Sequence, residues 1–230
     1  MAIVVVTLVV LLDHSRTLLP SELAELGRSP LALRITAIER VILFLLVPLA
    51  VVVAVFRDRP SRYGIAVGDW RAGIALVAVG CALMTPIVLW FAALPDGVAY
   101  YAPSAEPLPA LLLTNALDLS ASEFLFRGFL TFTLVRAIGP VGVLVATMPF
   151  IYGHISKPEL ELFSTLAGGL VYGWLAWRTR SILWGTIGHV YILTLVITAA
   201  GAAGAAGAAV PAEAGAAGAA MAAAAVLPLA

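Results

Sequence analysis

Apolar residues in this chain fall in long unbroken runs, at residues 41–56, 72–94, 110–135, 138–153, 160–177 and 181–200. Half-buried strands would alternate and a surface helix would carry a single stripe; these runs do neither. In lipid every backbone N–H and C=O must be satisfied within its own segment, and no barrel-like alternation is present, so the runs predict helices. A shorter run at 2–12 falls below the ~17 residues a span needs and predicts a shortened helix or an interfacial segment. The opening "MAIVVVTLVVLLDHSR" has neither the basic start nor the small-residue cleavage site of a cleaved signal peptide. The expected fold class is all-α: a polytopic integral membrane helical bundle of about six to eight transmembrane helices. Pro48 and Pro86 lie inside apolar runs and predict kinks, which neighbouring helices in a membrane tolerate.

Two stretches break the pattern. Residues 13–40 hold four Arg against four acidic residues and read as a surface or amphipathic segment. Residues 201–230 are low in complexity, with Gly at every third position of "GAAGAAG" and Pro211 opposing a helix, so a disordered tail, with at most a weak last helix, is expected there. The expected organisation is membrane helices with an amphipathic segment at 1–107, a core of helices at 108–200, and an Ala/Gly-rich tail at 201–230. In "GGLVYG", Gly169 and Gly173 are four apart and allow a second helix to approach closely.

Composition strengthens the membrane assignment. Hydrophobic residues make up 62% of the chain and charged residues 11%, against about 45–50% and 25% in soluble domains. Thirteen basic residues balance thirteen acidic ones, so no net field favours nucleic acid, and the expected partners are membrane lipids and membrane-bound molecules. Cys81 stands alone, which excludes an internal disulfide and a cysteine metal cluster. Arg57, Arg59, Arg62 and Arg71 crowd one loop, Arg136 falls at the next turn on that side, and Arg178 and Arg180 at the one after. Cytoplasmic Arg-rich loops are expected from this alternation, in what reads as a prokaryotic plasma membrane protein.

Against this apolar background the ionisable residues inside the runs stand out, because each is costly there unless it faces a partner or a cavity. Glu123 and Arg127 lie one helical turn apart, at the spacing of an ion pair. Asn115, Asp118 and Ser122 follow i, i+3, i+7 spacing beside them, so one helix turns two carboxylates, an amide and a hydroxyl toward one sector. Should His154 and His189 reach the same cavity, the site would hold what amide hydrolysis needs: a carboxylate and imidazole to deprotonate water, and a second imidazole to donate to the oxyanion. Counted at ~1.5 Å per residue from the Arg-rich side, Glu123 lies roughly 20 Å deep, His154 roughly 24 Å and His189 roughly 14 Å. Straight parallel helices would keep them apart; tilted helices or a funnel would not.

"SEFLFRGFL", "PFIYGHISKPELE" and "GGLVYGWLAWRTRSILWGTIGHVYI", in that order, resemble the CPBP family, which includes type II CAAX prenyl endopeptidases and bacteriocin-processing or immunity proteins. The resemblance covers about residues 111–200, with a looser echo in "RYGIAVGDWRAGI". The family pattern is Glu-Glu-x-x-x-Arg, Phe-x-x-x-His and His-x-x-x-Asn or Asp. The resemblance places its second Glu at Glu123, its Arg at Arg127, its Phe and His at Phe150 and His154, and its last His at His189. It implies that the first Glu and His154 activate water while His189 and the Asn stabilise the oxyanion, without a metal. Two positions differ: Ser122 stands where the first Glu belongs and Leu193 where the Asn or Asp belongs.

Three carboxylates are candidates to replace the missing base: Asp118 one turn before Ser122, Glu123 if turned inward, and Glu161 seven residues beyond His154. No cofactor is expected. Zinc is the weaker alternative, since two His and a Glu can bind it with an open position but no H-E-x-x-H helix pair exists. The expected function is hydrolysis of a peptide bond in a membrane-anchored or lipidated substrate, with Asp118, Glu123, His154 and His189 as catalytic candidates and Ser122, Arg127, Phe150 and Glu161 supporting them. The alternative is a catalytically impaired scaffold that binds a partner. A transporter is disfavoured because the halves show no internal repeat.

Overall fold

The computed structural model describes residues 1–15 and 26–208. Among them are eight helices and no strand: α1 (Ala2–Ser15), α2 (Pro30–Val55), α3 (Trp70–Ala92), α4 (Pro95–Tyr101), α5 (residues 108–138), α6 (Val141–Tyr152), α7 (Glu159–Thr179) and α8 (Leu183–Ala208). Pro30–Val55, Trp70–Ala92 and Leu183–Gly207 are long and apolar enough to cross a membrane. The protein is an all-α integral membrane bundle. At ~1.5 Å per residue α5 runs about 45 Å, longer than the ~30 Å hydrocarbon core, and its middle third is the most enclosed part of the bundle.

Local chemistry sets the helix starts. Ser29 caps α2 by accepting the Ala32 N–H at 3.3 Å, with Pro30 at the first helical position. Asp69 caps α3 by accepting the Ala72 N–H at 3.1 Å. That bond, and then Arg178 at 3.0 Å, hold the Asp69 carboxyl below the usual carboxylate range.

The first of these starts corrects a sequence expectation. Residues 30–40 are not a surface segment separate from the apolar run; they are the opening turns of the same membrane helix. Charge in the sequence pattern suggested water, yet Arg40 is neutralised by Asp13 and Asp118, 27 and 78 residues away. Hydropathy along the chain cannot register partners so remote.

Two helices depart from α geometry. α2 winds as π-helix at Val41–Leu46 and Val51–Val55, on either side of Pro48, where a backbone donor is missing. α5 does so at Phe124–Leu130, immediately after Glu123. All seven residues of that stretch are buried, and Phe124, Leu125, Phe126, Phe129 and Leu130 form one core with Val6, Val9 and Val10 of α1 and Leu43, Phe44 and Val52 of α2. A second core joins Val88 and Ala92 of α3, Tyr101 of α4, Leu111 of α5 and Val196, Ile197 and Ala200 of α8.

The Arg-rich turns gather at one end. Ile182 N–H donates to Gly64 O at 3.0 Å, Asp69 N–H to Thr179 O at 2.8 Å, and Arg136 to Arg62 O at 3.0 Å. The opposite end carries the Arg34–Glu106 pair and the Lys157–Glu161 pair. α1 and α6 are both short, so the turn after α6 at residues 153–158 enters the bundle from that opposite end.

The tail expectation also changes where the structure describes it. α8 continues through Gly201, Gly204 and Gly207 to Ala208, while residues 209–230 lie outside the described residues. Glycine at every third position serves close approach to the α4 region: a Cβ added at Gly201 would fall 2.6 Å from the Ala105 Cβ, and one at Gly204 3.3 Å from the Ala102 Cβ. Gly207 has nothing within 4 Å of such a Cβ. Gly201→Leu should therefore destabilise the fold by about 1–3 kcal/mol through overpacking, read as a lowered midpoint in detergent thermal unfolding. Gly207→Leu should leave the midpoint unchanged.

Candidate functional site

Five positions of the sequence motifs line one cavity of about 100 Å³: Ser122 from α5, Phe150 from α6, His154 from the turn after it, and His189 and Leu193 from α8. Asp13, Arg40, Asp118 and Lys157 add to its polar wall. A space of this size holds about three waters at ~30 Å³ each. The depth problem posed by straight helices is resolved by α6, whose twelve residues reach only about 18 Å. His154 follows it inside the bundle, where its ring packs on Phe150 at 4.4 Å, and Phe150 meets His189 at 6.2 Å.

Glu123 stands behind the cavity. Its side chain is 0% exposed, and its Oε1 lies 3.0 Å from His189 Nδ1 and 3.5 Å from Arg127 Nη1. A buried carboxylate accepts, so the ring proton sits on Nδ1 and His189 Nε2 is left for the cavity. His154 Nδ1 is likewise committed, donating to Phe150 O at 2.8 Å, which frees its own Nε2. Arg127 is held as much by stacking as by charge: its guanidinium lies 3.7 Å above the Phe150 ring, and neither Nη1 nor Nη2 has a hydrogen-bond partner. Phe150 thus separates Arg127 from His154 and touches both.

The stripe read from spacing meets the same space. Asp118 lines the cavity and accepts from Arg40 Nη1 at 3.0 and 3.2 Å. Asn115 donates to Thr194 Oγ1 of α8 at 3.0 Å and lines an adjoining cavity of about 160 Å³ that shares Asp118, Arg40 and Leu193. Glu161 does not join the cluster. Its carboxylate is bound by Tyr101 Oη at 2.5 Å and Lys157 Nζ at 2.5 Å, and it faces a separate apolar cavity. That cavity, about 220 Å³ between α3, α7 and α8, meets the polar one at His189, Leu193 and Lys157. Among the described residues no three His, Cys, Asp or Glu side chains converge as a metal-binding group.

Three contributors escaped the sequence reading. Arg40 comes from a segment read as surface. Tyr172 stacks on His189 at 5.1 Å and 19°, and the i, i+3 relation to Gly169 could only mark it as a packing position. Gly185 admits the Glu123 carboxylate: a Cβ there would sit 3.0 Å from Oε2. Gly-x-x-x-His was the available signal, since Gly185 and His189 share a face of α8.

The fold and these positions define a class: a helical membrane protein with a polar, partly ionic site enclosed between helices. Residues 104–195 match the family model Rce1-like, Type II CAAX prenyl endopeptidase Rce1-like. Over that segment the chain is similar to the type II CAAX prenyl endopeptidases that its motifs resemble, a family of proteases. No curated protein and no solved structure matches the chain.

Two substitutions test the geometry around the ion pair. Arg127→Met leaves Glu123 buried without its guanidinium and should cost about 3–5 kcal/mol of stability, measured by reversible unfolding in mixed detergent. Gly185→Val should push the carboxylate off His189 and lower the midpoint as well, whereas Gly168→Ala, with open space around its Cβ, should not.

Proposed function

We propose that the protein is an intramembrane endopeptidase that hydrolyses a peptide bond in a membrane-anchored or prenylated substrate. The observation carrying this reading is the convergence of Ser122, His154, His189 and Asp118 on one cavity of about 100 Å³, with Glu123 fixing His189 from behind. In this reading a water in the cavity attacks the scissile carbonyl and gives its proton to His154 Nε2, assisted by the Asp118 carboxylate. His189, oriented by Glu123 at Nδ1, donates to the oxyanion once Nε2 carries a proton. His154 then returns the proton to the leaving amine. Burial of the site strengthens each of these interactions relative to water.

The apolar cavity beside His189 suits the hydrophobic part of such a substrate, because its lining is dominated by Met84, Ile87, Val88, Phe91, Ile192 and Val196. Leu193 extends that apolar lining into the polar cavity, at the position where the family pattern has Asn or Asp. An oxyanion donor is worth about 10²–10³ in rate, so turnover should be slow beside a family member with the full motif. The Arg-rich end is assigned to the cytoplasm on the positive-inside rule.

The test is cleavage of a prenylated peptide by the full chain in proteoliposomes, followed by mass spectrometry of the products. His154→Ala and His189→Ala should each reduce cleavage by about 10²–10⁴-fold, and Leu193→Asn should raise it. Wild-type protein inert toward the peptide, or histidine variants as active as wild type, would favour the impaired scaffold. The mechanism needs no resident metal: protein purified without chelators should carry substoichiometric zinc and retain activity after dialysis against a chelator.

A further inference from the structure

Arg40 belongs to none of the family motifs and lies outside the matched segment, yet it lines the site cavity and both polar cavities that adjoin it, of about 160 and 190 Å³. Its guanidinium is held on one edge by Asp13 of α1, with Nε to Oδ1 at 3.0 Å and Nη2 to Oδ2 at 3.1 Å. That two-point contact fixes the guanidinium plane. The remaining nitrogen, Nη1, then contacts both oxygens of Asp118, at 3.0 and 3.2 Å. Stacking of the guanidinium near Phe44, 5.6 Å from the ring centre, closes another side.

Two carboxylates for one guanidinium is more than structure alone requires of a membrane helix, where each ionised group carries a desolvation cost. The arrangement has a consequence at the cavity. Asp118 lies one turn from Ser122, on the side of α5 that faces His154 and His189. Free to rotate, its side chain could turn along the helix; bound to Arg40, it is held at the wall.

We propose that Arg40 is a positioning residue for the hydrolytic site: oriented by Asp13, it holds the Asp118 carboxylate where that group replaces the one absent at Ser122. This assignment rests on the peptidase reading above and goes beyond it, since it makes helices α1 and α2 part of the catalytic apparatus. Asp13, which lines the same cavity, acts in this assignment through Arg40.

The experiment is a double-mutant cycle on prenylated-peptide cleavage in proteoliposomes, with thermal unfolding measured for every variant. In the wild-type background Arg40→Gln should lower kcat by about 10²-fold, the scale of a misplaced catalytic group. Arg40→Lys should be intermediate, because an ammonium cannot bridge Asp13 and Asp118 in the same plane. Asp13→Asn should also lower kcat. Ser122→Glu restores a carboxylate at the motif position, so Arg40→Gln placed in that background should lower kcat by less than about 3-fold if Arg40 acts through Asp118.

Equal losses in both backgrounds, with a matching fall in unfolding midpoint, would make Arg40 a structural tie and overturn the assignment. Full activity of Arg40→Gln in the wild-type background would overturn it too, while leaving the peptidase reading intact. Wild-type protein inert toward the peptide overturns both.

Discussion

A carboxylate in the middle of a membrane helix must be neutralised on the spot, and the arrangement around Glu123 follows from that requirement. Arg127 is reached along α5 itself, through the π-helical turn that begins at Phe124, and His189 is reached across the bundle. Bringing α8 close enough requires Gly185, because any side chain there would meet the carboxylate. Holding the guanidinium without hydrogen-bond partners on Nη1 and Nη2 requires the Phe150 face. Phe150 in turn fixes where α6 ends and His154 begins. One buried charge thus sets the spacing of three helices, α5, α6 and α8, and the polar cavity lies beside these contacts.

The cavity has unequal walls. On the α8 side, Leu193 and the neighbouring apolar space continue the surroundings of a hydrocarbon chain. On the α5 side, Asn115, Asp118 and Ser122 make a polar face that Arg40 supports from α2. The apolar cavity meets the polar one at His189, Leu193 and Lys157. The two departures from the family pattern fall on these two walls separately. Ser122 leaves a hydroxyl on the α5 wall beside the Asp118–Arg40 pair, whereas Leu193 leaves the α8 wall apolar.

Much of the site could be read from sequence because its signals are local or compositional. Glu123 and Arg127 are one turn apart in an apolar run, so their cost and their pairing are both visible. His154 and His189 are conspicuous for the same reason. The stripe at Asn115, Asp118 and Ser122 needs only helical periodicity. Glu161 was misjudged as a neighbour of His154 because sequence proximity says nothing about which way a side chain turns after a loop; it turns to Tyr101 and Lys157. The "GAAGAAG" stretch was misjudged because small residues look like missing packing until the helix that fills the gap is known.

What the sequence determined by itself is the solvent and the secondary structure: apolar runs long enough for lipid leave helices as the only backbone solution, and intramembrane charge marks where they must meet. Tertiary structure alone decided the partners. Arg40 in a membrane helix is tolerable only because Asp13 and Asp118 arrive from other helices, and His189 is a member of the site only because Gly185 lets α8 approach Glu123. Such pairings depend on the packing of helices distant in the chain, and local periodicity holds no record of them.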